Sequence, residues 1–121
     1  NFILKSKYEQ FGKREIELGN LNVSRDFSDV RDVVAAYMRL LETDTTAMAF
    51  NICSGKATSL LSVIETLNDL AGYEIKVCVN QDFVRSDEIK MLYGSAKLLE
   101  SEIGCYREHN FDSTLKWMFH G

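Results

Sequence analysis

The 121-residue sequence contains no proline at all and only three cysteines, two histidines and one tryptophan. About six prolines would be average for this length, but the deficit by itself excludes no architecture. Cys53, Cys78 and Cys105 are odd in number and far apart, with no Cys-x-x-Cys and no companion histidines at ligand spacing. That argues against a disulfide framework and against a metal centre, and leaves buried free thiols as the expectation. His109 and His120 lack any ligand-like pattern and are assigned no chemistry. A basic excess is missing as well: the net charge is −4, with lysines and arginines scattered, which speaks against nucleic acid or a membrane surface as partner. No apolar run approaches the roughly 20 residues that span a bilayer. The opening "NFILKSKYEQ" lacks the apolar core and cleavage site of a signal peptide. A soluble, cytoplasmic protein is expected.

What is present is ordinary globular composition, 45% hydrophobic and 26% charged, enough for one domain over residues 1–121 with a modest core. Phe2, Leu4, Tyr8 and Phe11 suggest a short first helix, capped by Asn1 and ended by Gly12. Ile16 and Leu18 alternate with glutamates as in a strand, and Gly19-Asn20 turns the chain. Val30, Val33, Val34, Tyr37, Met38 and Leu41 recur at helical spacing, predicting a helix over about 29–42 with Val30, Val34, Tyr37 and Leu41 mostly buried. "MAFNIC", 48–53, reads as a strand buried on both faces. Thr58 or Ser59 caps a second amphipathic helix that Gly72 stops. Ile75, Val77 and Val79 give another strand, and "NQDFVRSDEIKMLYG" reads as an ordered loop with a short strand at 89–93. Helices at about 95–103 and 112–119 close the chain, the last with Phe111, Leu115, Met118 and Phe119 inward. The class is α+β.

Chemistry-bearing motifs are few. "SGK" at 54–56 lacks the first glycine and the following Ser/Thr of a phosphate loop, since Ala49 and Ala57 occupy those places. No G-x-G-x-x-G is present, so the chain carries no dinucleotide fingerprint of its own. Arg25, just past a strand and turn and shortly before a helix cap, has two readings. Its guanidinium either forks onto a phosphate beside a helix N-terminus or pairs with Asp26, Asp29 or Asp32. Arg85, followed by Asp87 and Glu88, poses the same alternatives.

In order and spacing, "GNLNVSRDFSDVRDVVAAYMRLLE", "FNICSGKATSLLSVIETL" and "RSDEIKMLYGSAKLLESEIG" resemble the C-terminal half of extended short-chain dehydrogenases acting on nucleotide sugars. The likeness is greatest to the GDP-mannose 4,6-dehydratase and GDP-4-keto-6-deoxymannose reductase group. Gly19, Asn20, Leu21, Arg25, Asp26 and Phe27 meet one family pattern; Arg85, Glu88 and Gly94 meet another. The resemblance implies that Arg25 and Arg85 clamp a substrate diphosphate, that Glu88 hydrogen-bonds the nucleoside ribose and that Asn1 stands at a helix N-terminus facing the diphosphate. Arg31 and Asp32 are then fold-stabilising. "RDFSDVRD" is similar to the reductase type rather than the dehydratase, while Cys105 and Ser95 depart from the family's usual tryptophan and acidic residue.

By the same resemblance, the catalytic Tyr-x-x-x-Lys, its Ser/Thr partner and the NAD or NADP site belong to an N-terminal Rossmann domain absent from this chain. Tyr8 and Tyr37 have no lysine four residues on, and no stretch is expected to stand in for that domain. The implied function is the substrate-binding lobe of an NAD(P)-dependent nucleotide-sugar reductase, epimerase or dehydratase acting at sugar C4, a GDP-sugar favoured. The alternative is a non-catalytic interaction module derived from the same lobe. Either way the isolated chain is expected to hold no catalytic residue, cofactor or metal. A "FNICSG" strand without its neighbouring sheet leaves an open edge, so self-association is the expected consequence.

Overall fold

The computed structural model describes residues 14–46 and 49–121. The expected first helix and Asn1 lie outside them. Among these residues, two small sheets and four α-helices make an α+β architecture. Strand β1, Glu15–Leu18, pairs in parallel with β4, Lys76–Val79, with Ile16 opposite Val77. The second sheet has β2, Ser24–Asp26, at its centre, antiparallel to β3, Ala57–Ser59, and parallel to β5, Met91–Leu92. The strand expected over 89–93 is thus reduced to two residues. Gly19 has a steric reason for lacking a side chain, because a Cβ there would lie 2.7 Å from the Phe83 carbonyl oxygen.

Helix α1, Val30–Leu41, starts at Asp29, whose carboxylate accepts from the Arg31 N–H. Helix α2, Leu60–Ala71, starts at Ser59, which accepts from Ser62, and Gly72 closes it. Helices α3, Lys97–Ile103, and α4, Phe111–His120, complete the chain. The core is built of Ala36, Cys53, Ala96, Leu99 and Tyr106, with Leu40, Phe50, Ile52 and Ile103 packed on it. Tyr106 and Leu99 are the largest fully buried side chains.

Four expectations are corrected. The stripe on α1 is not buried: Val30, Val34, Tyr37 and Leu41 are 61%, 53%, 57% and 83% exposed. The inward face instead carries Asp32 and Ala36, about 200° around the helix from that stripe at about 100° per residue. Ala36 is small enough for Leu99 and Tyr106 to approach, and Asp32 accepts from the backbone N–H groups of Glu108 and His109. Polar anchoring of the C-terminal segment, rather than apolar burial, therefore sets the rotation of α1. Residues 49–53 form no strand either, although burial still alternates over 49–52, before the buried Cys53. A strand needs a ladder partner, and among the described residues none is offered. The Tyr106 hydroxyl stands in for one, accepting from Cys53 N at 3.2 Å and donating to Cys53 O at 3.0 Å. Finally, Met118 is exposed, while Leu115 is buried and Phe111 and Phe119 half-buried. Of the thiols only Cys53 is buried, and Cys105 is exposed.

Candidate functional site

The short reach of β2 decides the geometry around Arg25. Successive side chains on a strand point to opposite faces, so Arg25 and Asp26 serve different neighbours. Arg25 turns to the 88–89 loop: its Nη1 donates to the carbonyls of Ile89 at 2.8 Å and Ser24 at 2.9 Å, and its Nη2 faces Glu88 Oε1 at 3.4 Å. Both side chains are about a quarter exposed, 29% and 21%. None of Asp26, Asp29 and Asp32 is the partner of Arg25; its ion-pair partner is Glu88, from the segment that also carries Arg85. Glu88 Oε2 is buried and has no hydrogen-bond partner among the described residues. Arg85 is exposed on that loop, three residues away, without an ion pair among the described residues.

Asp26 holds three segments at once, a role the sequence did not reveal. Its Oδ1 accepts from Ser54 N and Ser54 Oγ at 2.7 and 2.6 Å, and its Oδ2 from Gly55 N and Gly94 N at 2.9 and 3.2 Å. Burial alone would push this carboxyl up. The Ser54 hydroxyl and the N–H groups of Ser54, Gly94 and Gly55 outweigh it, leaving Asp26 below the usual carboxylate value. Gly94 cannot carry a side chain, because a Cβ would meet Cys53 Sγ at 2.8 Å. Two motif residues, Asp26 and Gly94, thereby place the far end of the segment that Arg25 grips at its near end. Cys53 itself is pushed up by burial and then by the Asp26 charge, which disfavours the thiolate that reactivity requires.

A second knot fixes α1. Asp29 takes Arg31 Nε and Nη2 at 2.9 and 2.6 Å and the Thr114 hydroxyl at 2.6 Å. The Arg31 guanidinium, above all, holds this carboxyl well below the usual range. Arg31 also lies over the Trp117 ring at 4.3 Å. Asp32 meets His109 Nδ1 at 2.6 Å, so the histidine without assigned chemistry has a structural contact. A cleft of about 300 Å³ opens here, lined by residues including Phe27, Lys56, Tyr106, His109 and Thr114, but not by Arg25, Arg85 or Glu88. Asp29, Asp32 and Tyr106 in its lining are already hydrogen-bonded within the fold.

One formal Tyr-x-x-x-Lys does occur, Tyr93 and Lys97. The spacing brings two side chains together on a helix, but Tyr93 lies just after β5 and Lys97 is the first residue of α3. Both are exposed, so the shared helical face is not there. Among the described residues no cluster of metal-ligating side chains occurs, and no helix is long and apolar enough to cross a membrane.

This arrangement of two small sheets, capped helices and an arginine-bearing central strand is that of the C-terminal part of an extended short-chain dehydrogenase of the NAD-dependent epimerase/dehydratase class. Within that class the chain belongs to the GDP-mannose 4,6 dehydratase family, whose pattern matches residues 2–118. It is 30% identical to GDP-6-deoxy-D-mannose reductase of Pseudomonas aeruginosa over 96% of this chain and 40% of the relative. It is likewise 30% identical to GDP-6-deoxy-D-talose 4-dehydrogenase of Aggregatibacter actinomycetemcomitans, over 86% of this chain and 36% of that one. The crystal structure of a presumed epimerase from Burkholderia cenocepacia J2315 superposes with a TM-score of 0.86 at 44% identity, over 93% of this chain and 37% of that protein. RMD from Pseudomonas aeruginosa complexed with NADPH gives 0.81 at 30% identity, over 93% and 37%. The chain thus spans about two-fifths of the length of the curated relatives it matches.

Proposed function

We propose that this chain is the substrate-binding part of an NAD(P)-dependent nucleotide-sugar reductase, epimerase or dehydratase acting at sugar C4, with a GDP-sugar as ligand. The observation that carries it is the meeting of Arg25 and Glu88, 63 residues apart in sequence, on the loop that bears Arg85. Two guanidinium groups on adjoining segments suit a diphosphate, to which arginine presents planar, forked donors. Glu88, with one oxygen buried and unsatisfied, suits a ligand that brings hydroxyl groups, as a ribose does. Asn1 would add a helix N-terminus to the same diphosphate.

The chemical step lies with a second, nicotinamide-binding domain. That domain would supply hydride and proton transfer while these residues supply orientation and binding energy. The ladder-less segment 49–53 and the outward stripe of α1 are the surfaces such a domain would cover. It would pair the former at a sheet edge and bury the latter, each large side chain contributing about 1.5–3 kcal/mol. In the enzyme containing both parts, Arg25→Ala or Arg85→Ala should weaken nucleotide-sugar binding about ten- to a hundredfold, from about 1.5–3 kcal/mol per charge-assisted contact. NAD(P) affinity should stay unchanged. Equal loss of both affinities, or of neither, would remove the assignment.

A further inference from the structure

The cleft of about 300 Å³ beside α1 holds polar groups that the fold leaves unused. Asp29 and Asp32 are taken by Arg31, Thr114 and His109, and Arg107 by Glu100 and the carbonyls of Cys53 and Ser54. Other polar side chains of the lining keep their hydrogen-bonding capacity. The Lys56 ammonium, the Asp112 carboxylate and the hydroxyls of Ser28 and Thr58 have no partner among the described residues. Asn110 caps α4 with its amide oxygen, which accepts from Ser113 N at 2.8 Å, and this leaves the amide nitrogen to donate. His109 turns Nδ1 to Asp32 at 2.6 Å, so the neutral imidazole presents Nε2 as an acceptor. The apolar wall is aromatic: the rings of Phe27 and Phe111 stack with centroids 5.1 Å apart, and both are half-buried.

The two unpaired charges, Lys56 and Asp112, are of opposite sign, so the cleft favours neither an anion nor a cation. Its unused groups both donate and accept, which suits a neutral ligand bearing several hydroxyls. The volume stands at the low end of ligand pockets, which span about 300–1,000 Å³, and fits a single ring rather than a nucleotide. The negative face of an aromatic ring attracts the slightly positive C–H groups along the flat side of a pyranose. We infer that the cleft is a second binding site, for a neutral pyranose sugar, set apart from the loop that Arg25 grips. Its lining includes neither Arg25, Arg85 nor Glu88. Asp32, at its edge, lies about 200° around α1 from the outward stripe at about 100° per residue. A nicotinamide-binding domain laid on that stripe leaves the cleft open. The inference does not depend on the reading of Arg25 as a diphosphate ligand.

The test is an NMR titration of the protein with D-mannose, D-glucose, D-galactose and L-fucose, each to about 100 mM, enough to saturate a millimolar site. At least one sugar should shift the backbone amides of residues 27–28, 56–58 and 106–114 saturably, while acyclic sorbitol and inorganic phosphate should not. Lys56→Ala and Asp112→Ala change exposed side chains, and Phe111→Leu keeps apolar bulk without the ring. With the fold of each verified by circular dichroism, each should weaken binding about two- to tenfold, the size of one hydrogen bond or one ring face. Lys116→Ala, an exposed charge on α4 outside the lining, should change nothing. A calorimetric titration with GDP should give the same affinity with and without saturating sugar. The second site is refuted if no sugar gives a saturable shift there, if phosphate or sorbitol shifts the same amides, or if the lining variants bind as wild type does. If GDP and the sugar exclude one another, the cleft belongs to the nucleotide-sugar site and only the second site falls. If GDP fails to bind while the sugar still shifts the cleft, the second site stands and the proposed function falls.

Discussion

Removing the Asp26 carboxylate should loosen the second sheet more than its half-exposed position suggests. Its four donors come from Ser54, Gly55 and Gly94. In Asp26→Ala the exposed Gly55 N–H turns to water, and the Ser54 hydroxyl retains a contact with the Lys56 carbonyl at 3.4 Å. The half-buried N–H groups of Ser54 and Gly94 have no such recourse. At about 1–3 kcal/mol for each unsatisfied group, the expected loss is about 2–4 kcal/mol. For a domain of this size that is a fall of about 10–20 °C in Tm, readable by circular dichroism during thermal unfolding. Asp26→Asn should fall between, because an amide oxygen still serves Ser54 while the amide nitrogen faces the two glycine N–H groups. The pH dependence has a definite sign. The folded carboxyl sits below its unfolded value, near about 3.9, so its stabilisation is present above about pH 4 and is lost as pH falls through the folded value. Wild type should show that acid loss and Asp26→Ala should lack its share. A Tm within about 3 °C of wild type, less than about 1 kcal/mol, would refute the three-segment tie.

Asp29→Asn should keep the helix cap but destabilise by about 1–2 kcal/mol at pH 7, through the loss of the charge-assisted contact to Arg31 and of the oxygen that accepts from Thr114; it should also flatten the acid limb, because this carboxyl too is held low in the fold. Arg31→Ala should lower thermal stability, by loss of the Asp29 pair and the Trp117 contact, without changing nucleotide affinity in the same calorimeter. These 121 residues alone should turn over no nucleotide sugar with NADH or NADPH, and an absorbance assay at about 340 nm that detected turnover would overturn the division of labour. Their outward α1 stripe should drive self-association in sedimentation at high concentration, and Val34→Lys with Leu41→Lys should reduce it. A strictly monomeric species that binds no apolar dye would contradict this.

Periodicity and cap chemistry were enough to place the helices of the described residues: Asp29, Ser59 and Gly72 stand where side-chain capping and helix stops require. Which way α1 faces was not legible, because an apolar stripe says that a face is to be covered and not by what. Asp32 won the inward position through hydrogen bonds to residues 76 and 77 positions away, and Ala36 by packing into the core, distances no local pattern encodes. Residues 49–53 show the same limit, since burial alternates as in a strand while the ladder depends on a partner. At the site, the resemblance picked out Arg25, Arg85 and Glu88 as one group, and the structure sets Arg25 against Glu88. The roles of Asp26 and Tyr106 escaped notice because each acts on backbone groups far along the chain. Gly94, which packs against the buried Cys53, was the only local sign of that close approach.

The most direct test of the account is an NMR titration of the protein with GDP, following backbone amide shifts. Shifts should concentrate on β2 around Arg25, on residues 85–90 and at Gly94, and they should vanish in Arg25→Ala. Shifts confined to the cleft between Phe27 and Thr114, or no saturable shift at all, would contradict it.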